Sequence, residues 1–432
     1  MGNDYTELEK LVSSPPQPGS QRVSIVIPTY NRADKLGKLL AALTHQSFPL
    51  ENMEVIVTDD GSSDTTHCIV REYSRFFDIK HIWQRDSGHR LSAVCNLGIR
   101  AASHDHIVLL QSDMLPSTGL IEAYLQWLSI ARRILLIGGR VFVEASGISE
   151  NDLLQSSDFE KSLPHVRTKN KMWDAFPMHQ EEDWREALYR TTSRLKQEKW
   201  PFRAVVGSNL AFHKHIMEDI GGFDEEFQSW GGEDGEFGYR AFNAGYYLIP
   251  VKDAVAYHQE PPDGENETDR ITGFEISKAI RSRKCALPPF RMSSEDRSDW
   301  KDLIAHAMLV SACSTVNTEY APPRLPFSVA EINSFIKTHS EPYILLSILP
   351  VDPHTIFLVV EQLIVNGTST FVHHSDTDLA QMTFLAFSRR AWAIMEGFHD
   401  EANSLESLSE QIKQLNTSRQ FVTALEKSCP TR

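Results

Sequence analysis

The sequence predicts an α/β domain with a mostly parallel, doubly wound sheet over residues 22–265, followed by a smaller α+β, largely helical domain over 270–432. Three observations carry this. Apolar runs that read as buried strands alternate with segments of helical spacing, the pattern of parallel strands joined by crossover helices. Runs end at Pro28, Asp60 and Asp113, and in such sheets ligands bind beyond the carboxyl ends of the strands. A stretch with an aromatic, two glycines and two acids, Trp230-Gly231-Gly232-Glu233-Asp234, then opens a further helix.

Taken in order, residues 1–21 read as a flexible lead-in, with SSPPQPGSQ as linker chemistry. Val23–Ile27 is a continuous apolar run, as in a strand buried on both faces, and Pro28 is expected to stop it. From Ala33 the leucines recur at 36, 39, 40 and 43, which is helical spacing. VIVTDDG, IKHIWQ and HIVLLQSD read as the next three strands, with LSAVCNLGIRAA as a helix between the last two. Ile134–Val143 is a fifth strand, and HQEEDWREALYR a short helix in an otherwise aperiodic stretch. FRAVVGSNLAF reads as a strand running into Gly207-Ser208-Asn209. A helix at His213–Ile220 and strands YYLIP and AVAYHQ complete the domain. Beyond the polar boundary PPDGENETD, a helix is expected over Asp299–Ser314, strands at YILLSI, TIFLVVEQLIV and TSTFVHH, and helix from Asp376 onward.

Bulk properties narrow the function. A formal net charge of −15 argues against general nucleic-acid binding, which needs Lys and Arg on phosphates. A diphosphate is still accommodated if a metal ion and a few placed arginines neutralise it locally. No apolar run reaches the ~18 residues that span a bilayer, and the start of the chain has no apolar leader segment. Five scattered cysteines without CxxC spacing fit a reducing compartment. The expectation is a cytoplasmic protein; peripheral attachment at a membrane and homo-oligomerisation stay open.

The stretch WGGEDGEFGYR resembles the acceptor-side motif of family 2 glycosyltransferases of the chondroitin-polymerase kind, and is similar to the WGGED of β-1,4-galactosyltransferases. PTYNR, VTDDGSSD and LLQSDM resemble the nucleotide-binding half of the same family. The resemblance covers about residues 22–262 and implies a GT-A fold. It implies that Pro28, Tyr30 and Arg32 line a uridine pocket, that Asp60 accepts from the uracil imide, and that Arg90 meets the diphosphate. It also sets Asn96, Ser112, Gly207, Ser208, Asn209 and Trp230 along the UDP-sugar. Asp113 and His258 would hold Mn²⁺ or Mg²⁺; the family's first acid of this metal motif is Gln111 here. Asp234 would be the general base, with Glu233 holding hydroxyls.

The resemblance therefore implies an inverting, metal-dependent transfer of a hexose or N-acetylhexosamine from a UDP-sugar to a glycan, peptide or lipid hydroxyl. Two alternatives are a retaining enzyme similar to polypeptide GalNAc-transferases, which share a related WGG region, and a nucleotide-sugar-binding module without transfer. A nucleotidyltransferase is disfavoured because PTYNRADK lacks a Gly-rich, Lys-containing loop. Residues 270–432 carry no recognised motif; acceptor binding or oligomerisation is the expectation for them.

Overall fold

The computed structural model describes residues 3–12, 21–166, 183–198, 200–259 and 270–285, four segments at 307–311, 343–347, 370–373 and 384–388, and residue 390. These belong to two compact units, one of residues 2–242 and 246–284, the other chiefly of 285–432.

In the first unit the helices are α1 (Thr6–Glu9), α2 (Ala33–Leu43), α3 (Thr66–Tyr73), α4 (Leu91–Ala101), α5 (Leu120–Leu128), α6 (Glu150–Gln155), α7 (Trp184–Thr191), α8 (Ile216–Ile220), α9 (Glu233–Asn243) and α10 (Arg270–Lys284). The strands are β1 (Val23–Thr29), β2 (Met53–Asp59), β3 (Asp78–Trp83), β4 (His106–Leu110), β5 (Met114–Pro116), β6 (Ile134–Phe142), β7 (Asn209–His213) and β8 (Tyr247–His258). They form one sheet in the order β3-β2-β1-β4-β7-β6-β8-β5.

The first four strands of that order are parallel, as expected. The other half is mixed: β7 runs antiparallel to β4 and β6, and β5 antiparallel to β8. All seven residues of β1 are buried, because helices cover both faces of a central strand. Pro28 does not stop β1, which pairs on through Thr29 with Asp59. On α2, Leu36, Leu39, Leu40 and Leu43 are all buried, so its spacing translates directly into a core face. A Cβ at Gly98 of α4 would lie 2.3 Å from Val26 Cγ1, so glycine is what lets α4 lie flat on β1.

Several expectations are corrected. The described part of the lead-in, residues 3–12, is anchored: Asn3 is fully buried, donates to Leu248 O at 2.7 Å and accepts from Leu248 N at 2.9 Å. Strand β7 begins at Asn209 rather than ending there, and Pro201–Ala204 is a 3₁₀ turn. YYLIP and AVAYHQ are one strand, β8, whose pairing with β6 shifts register between Gly138 and Gly139.

In the second unit the described residues form a four-stranded sheet, β9 (Ala307–Ser311), β10 (Tyr343–Ser347), β11 (Thr370–His373) and β12 (Phe384–Ser388), in the order β11-β12-β10-β9. Strands β10 and β11 lie where YILLSI and TSTFVHH place them. Strands β9 and β12 stand where helix is expected, because short apolar runs such as AMLVS and FLAFS suit either state until pairing decides. TIFLVVEQLIV lies outside the described residues.

Candidate active site

The carboxyl ends of β1, β2 and β4 form one edge, and their polar residues divide into framework and cleft. At the end of β2, Asp59 is framework. Its Oδ1 accepts from Gly61 N at 3.1 Å and Ser62 N at 2.7 Å, and Oδ2 faces His81 Nε2 at 3.1 Å. Burial opposes its charge, but the bonds from His81 and Ser62 overcome that and hold the carboxyl below its usual range. Asp60, next in the chain, is buried as well. Gln84 Nε2 donates to its Oδ1 at 2.7 Å, and the Arg90 backbone N–H to its Oδ2 at 2.8 Å. Tyr30, at the end of β1, is 39% exposed and its hydroxyl donates to Asp86 at 3.1 Å. Pro28 is buried one step back in β1. Arg90, expected at a diphosphate, is set against Asp60 at 2.8 Å.

Asp113 follows β4 at a turn and is fixed by the pairing of Met114 with His258 across β5 and β8. Its Oδ2 meets Arg32 Nη1 at 2.6 Å and His258 Nε2 at 3.7 Å. Arg32, expected along a uridine pocket, thus stands beside Asp113. Burial opposes the charge on Asp113, but the nearby His258 and Arg32 outweigh it and hold the carboxyl below its usual range. Oδ1 of Asp113 is buried and has no hydrogen-bond partner among the described residues. A buried carboxylate oxygen without a donor, beside an imidazole nitrogen, suits a hard divalent cation, so these residues fit Mn²⁺ or Mg²⁺.

Trp230-Gly231-Gly232 leads into α9 with Gly231 at φ 84° and Gly232 at φ 94°, conformations that favour glycine. Glu233 and Asp234 then occupy the first helical turn. Their environments differ. Glu233 is buried, its Oε2 has no hydrogen-bond partner among the described residues, and burial with the neighbouring Asp234 pushes its carboxyl up to about 8. Asp234 is half-buried and accepts from Gly207 N at 3.2 Å and Gly235 N at 2.6 Å. Burial raises its carboxyl too, but those two donors favour the charged form, so the pair carries its proton on Glu233.

Gly207 joins the two halves of the site. A Cβ there would lie 3.5 Å from Asp234 Cβ and 3.9 Å from Gln111 Nε2. Gln111 N in turn donates to Ser208 O at 3.1 Å, with Ser208 and Ser112 both buried. The side chains of two residues expected along the sugar tie neighbouring elements together. Asn209 accepts from Tyr124 Oη at 2.7 Å and donates to Gly139 O at 3.1 Å and Ala254 O at 3.0 Å. Asn96 donates to Phe223 O and accepts from Phe223 N, both at 2.8 Å, anchoring the loop that leads to Trp230. Gln84 was not anticipated, although its place directly after a strand was a signal.

A separate group, Asp105, His213 and His215, has ligand-type atoms within 4.8 Å of one another at the opposite end of β4 and β7. His213 Nδ1 faces Asp105 at 2.8 Å and its Nε2 faces Leu128 O at 3.0 Å, so both ring nitrogens already have partners.

Residues 24–221 match the glycosyl transferase family 2 domain, and residues 189–259 the N-terminal domain of galactosyltransferase. Chondroitin synthase of Escherichia coli is 39% identical over 297 residues, 68% of this chain and 43% of the relative. Hyaluronan synthase of Pasteurella multocida is 37% identical over 287 residues, 65% of this chain and 29% of the relative. The chain thus spans less than half the length of these relatives. Among solved structures, a mannosyltransferase from Pyrobaculum calidifontis in complex with GDP-Man and Mn²⁺ aligns with a TM-score of 0.41 and 17% identity, over 65% of this chain and 68% of that one.

Proposed function

Because residues 24–221 of the chain belong to glycosyl transferase family 2, we propose that it is an inverting, metal-dependent enzyme moving a hexose or N-acetylhexosamine from a UDP-sugar to an acceptor hydroxyl on a glycan, peptide or lipid. The observation that carries this reading is the asymmetry of the acid pair. Asp234 is half-buried and held by two backbone N–H groups, while Glu233 beside it is buried, which with the Asp234 charge pushes its carboxyl up to about 8. The relatives' names, chondroitin synthase and hyaluronan synthase, support a glycan as acceptor.

In this reading Asp60 accepts from the uracil imide, Tyr30 flanks the base, and the diphosphate lies toward Asp113. Asp113 and His258 would hold Mn²⁺ or Mg²⁺, which supplies charge neutralisation for the departing diphosphate. Arg32, already at Asp113, adds a fixed cation at that end. Asp234 takes the proton of the acceptor hydroxyl as its oxygen attacks the anomeric carbon, and the bond from that carbon to the diphosphate oxygen breaks. Attack opposite the leaving group inverts the centre, so an α-linked donor yields a β-glycoside. Glu233, carrying its proton, donates a hydrogen bond to a sugar hydroxyl without adding charge.

The test is UDP release from a panel of UDP-sugars with Mn²⁺, first alone and then with glycan, peptide and lipid acceptors. The anomer of the product is read by NMR. Release confined to one or two UDP-sugars with a β-linked product is expected. An α-linked product from an α-linked donor would assign the retaining class instead.

A further inference from the structure

Helix α10 lies beyond both matched stretches, which end at residues 221 and 259, and the sequence places no donor or base residue there. In the structure it belongs to the same compact unit as the acid pair. Residues Gly273, Ser277 and Arg281 are four apart and therefore line one face of α10. Gly273 and Ser277 meet the Ser229–Gly232 stretch. A Cβ at Gly273 would lie 2.9 Å from Trp230 N and 3.1 Å from Trp230 Cβ, so only glycine admits this approach. Ser277 is buried; its hydroxyl donates to Trp230 O at 3.2 Å and lies 3.0 Å from Ser229 Oγ. Ser277 Cβ also packs where a Cβ on Gly232 would come within 3.3 Å. One turn on, Arg281 brings a positive charge into Coulombic reach of both Glu233 and Asp234.

We propose that α10 is part of the catalytic apparatus: its Gly273 and Ser277 clamp the Trp230–Gly232 loop, and Arg281 is a positioning residue for the acid pair. This rests on the transferase reading above. Two neighbouring carboxyls, one of them buried, resist carrying two charges. Arg281 from α10 favours the charged form of both carboxyls, and Arg140 from β6 favours that of Asp234 as well. Arg281 thus favours ionisation of the pair, and the clamp keeps the two glycines in the conformation that presents Asp234.

The experiment uses the full chain and measures UDP release from the best UDP-sugar with Mn²⁺, alongside UDP binding by calorimetry. Arg281→Gln is expected to lower kcat ~10-fold or more, leave UDP affinity within about threefold, and move the acid limb of the kcat–pH profile upward. Arg281→Lys should restore most of the rate, since the charge is what matters. Gly273→Ala, which forces Trp230 to shift, should lower kcat with UDP affinity unchanged. Unchanged kcat in Arg281→Gln, or a kcat loss matched by a loss of UDP affinity, would overturn the proposal. Should the wild type release UDP from no donor, the transferase reading fails on its own. The inference is then decided by thermal stability against pH, where Arg281→Gln must shift the step due to Glu233 to higher pH; an unmoved step overturns it.

Discussion

The carboxylate of Asp234 accepts a hydrogen bond from the backbone N–H of Gly207 at 3.2 Å. That contact ties the helix that opens with Glu233 to the turn just before β7, and through Gln111 and Ser208 to the turn that carries Asp113. A few hydrogen bonds and close approaches thereby link Asp234, Ser208 and the turn of Asp113.

The proton on Glu233 sets an upper pH limit. Its folded-state carboxyl lies near 8, against 4.5 when unperturbed. Activity is therefore expected to fall as pH rises through about 8, when a second negative charge appears beside Asp234. Glu233→Gln, which cannot ionise, should lose that alkaline limb in a kcat–pH profile. The stability sign follows from the same shift: the folded state holds this proton more tightly than the unfolded chain. Its contribution is full below pH 4.5 and is lost as pH rises toward 8, and Glu233→Gln should flatten that part of a stability titration.

Asn209 is expected to matter for stability more than for donor contact. Asn209→Ala leaves the Tyr124 hydroxyl and the Gly139 and Ala254 carbonyls without their partner inside the sheet. The cost should be about 3 kcal/mol, read as a fall in the denaturation midpoint.

The proposed metal dependence is tested at Asp113, whose Oδ1 is buried and has no donor among the described residues. Excess EDTA should abolish turnover, and Asp113→Ala and His258→Ala should each weaken Mn²⁺-dependent UDP binding in calorimetry. Equal UDP affinity with and without Mn²⁺ in the wild type would remove the metal from the mechanism.

Much of the first unit was legible because its signals are local. Buried parallel strands announce themselves as unbroken apolar runs, α2 by its leucine spacing, and the acid pair by two glycines that need positive φ. What stayed hidden depends on long-range pairing. Phe202, Ala204 and Val205 are apolar enough for a strand, yet they fold as a turn packed under α9, with Phe202 and Tyr239 rings 5.4 Å apart. The partners of Arg32 and Asn209, Asp113 and Tyr124, are distant in sequence, so these hydrogen bonds could not be read from the local motifs. Nothing in the sequence of α10 tells that Ser277 reaches the Trp230 loop.

The assignment of Asp234 as the base is tested most directly by Asp234→Asn, assayed for UDP affinity and for turnover on the same protein. The amide keeps the size of the side chain but cannot take a proton. The account predicts UDP affinity within a few-fold of wild type and a turnover lower by about 10²–10⁴. Near-wild-type turnover in Asp234→Asn would contradict it.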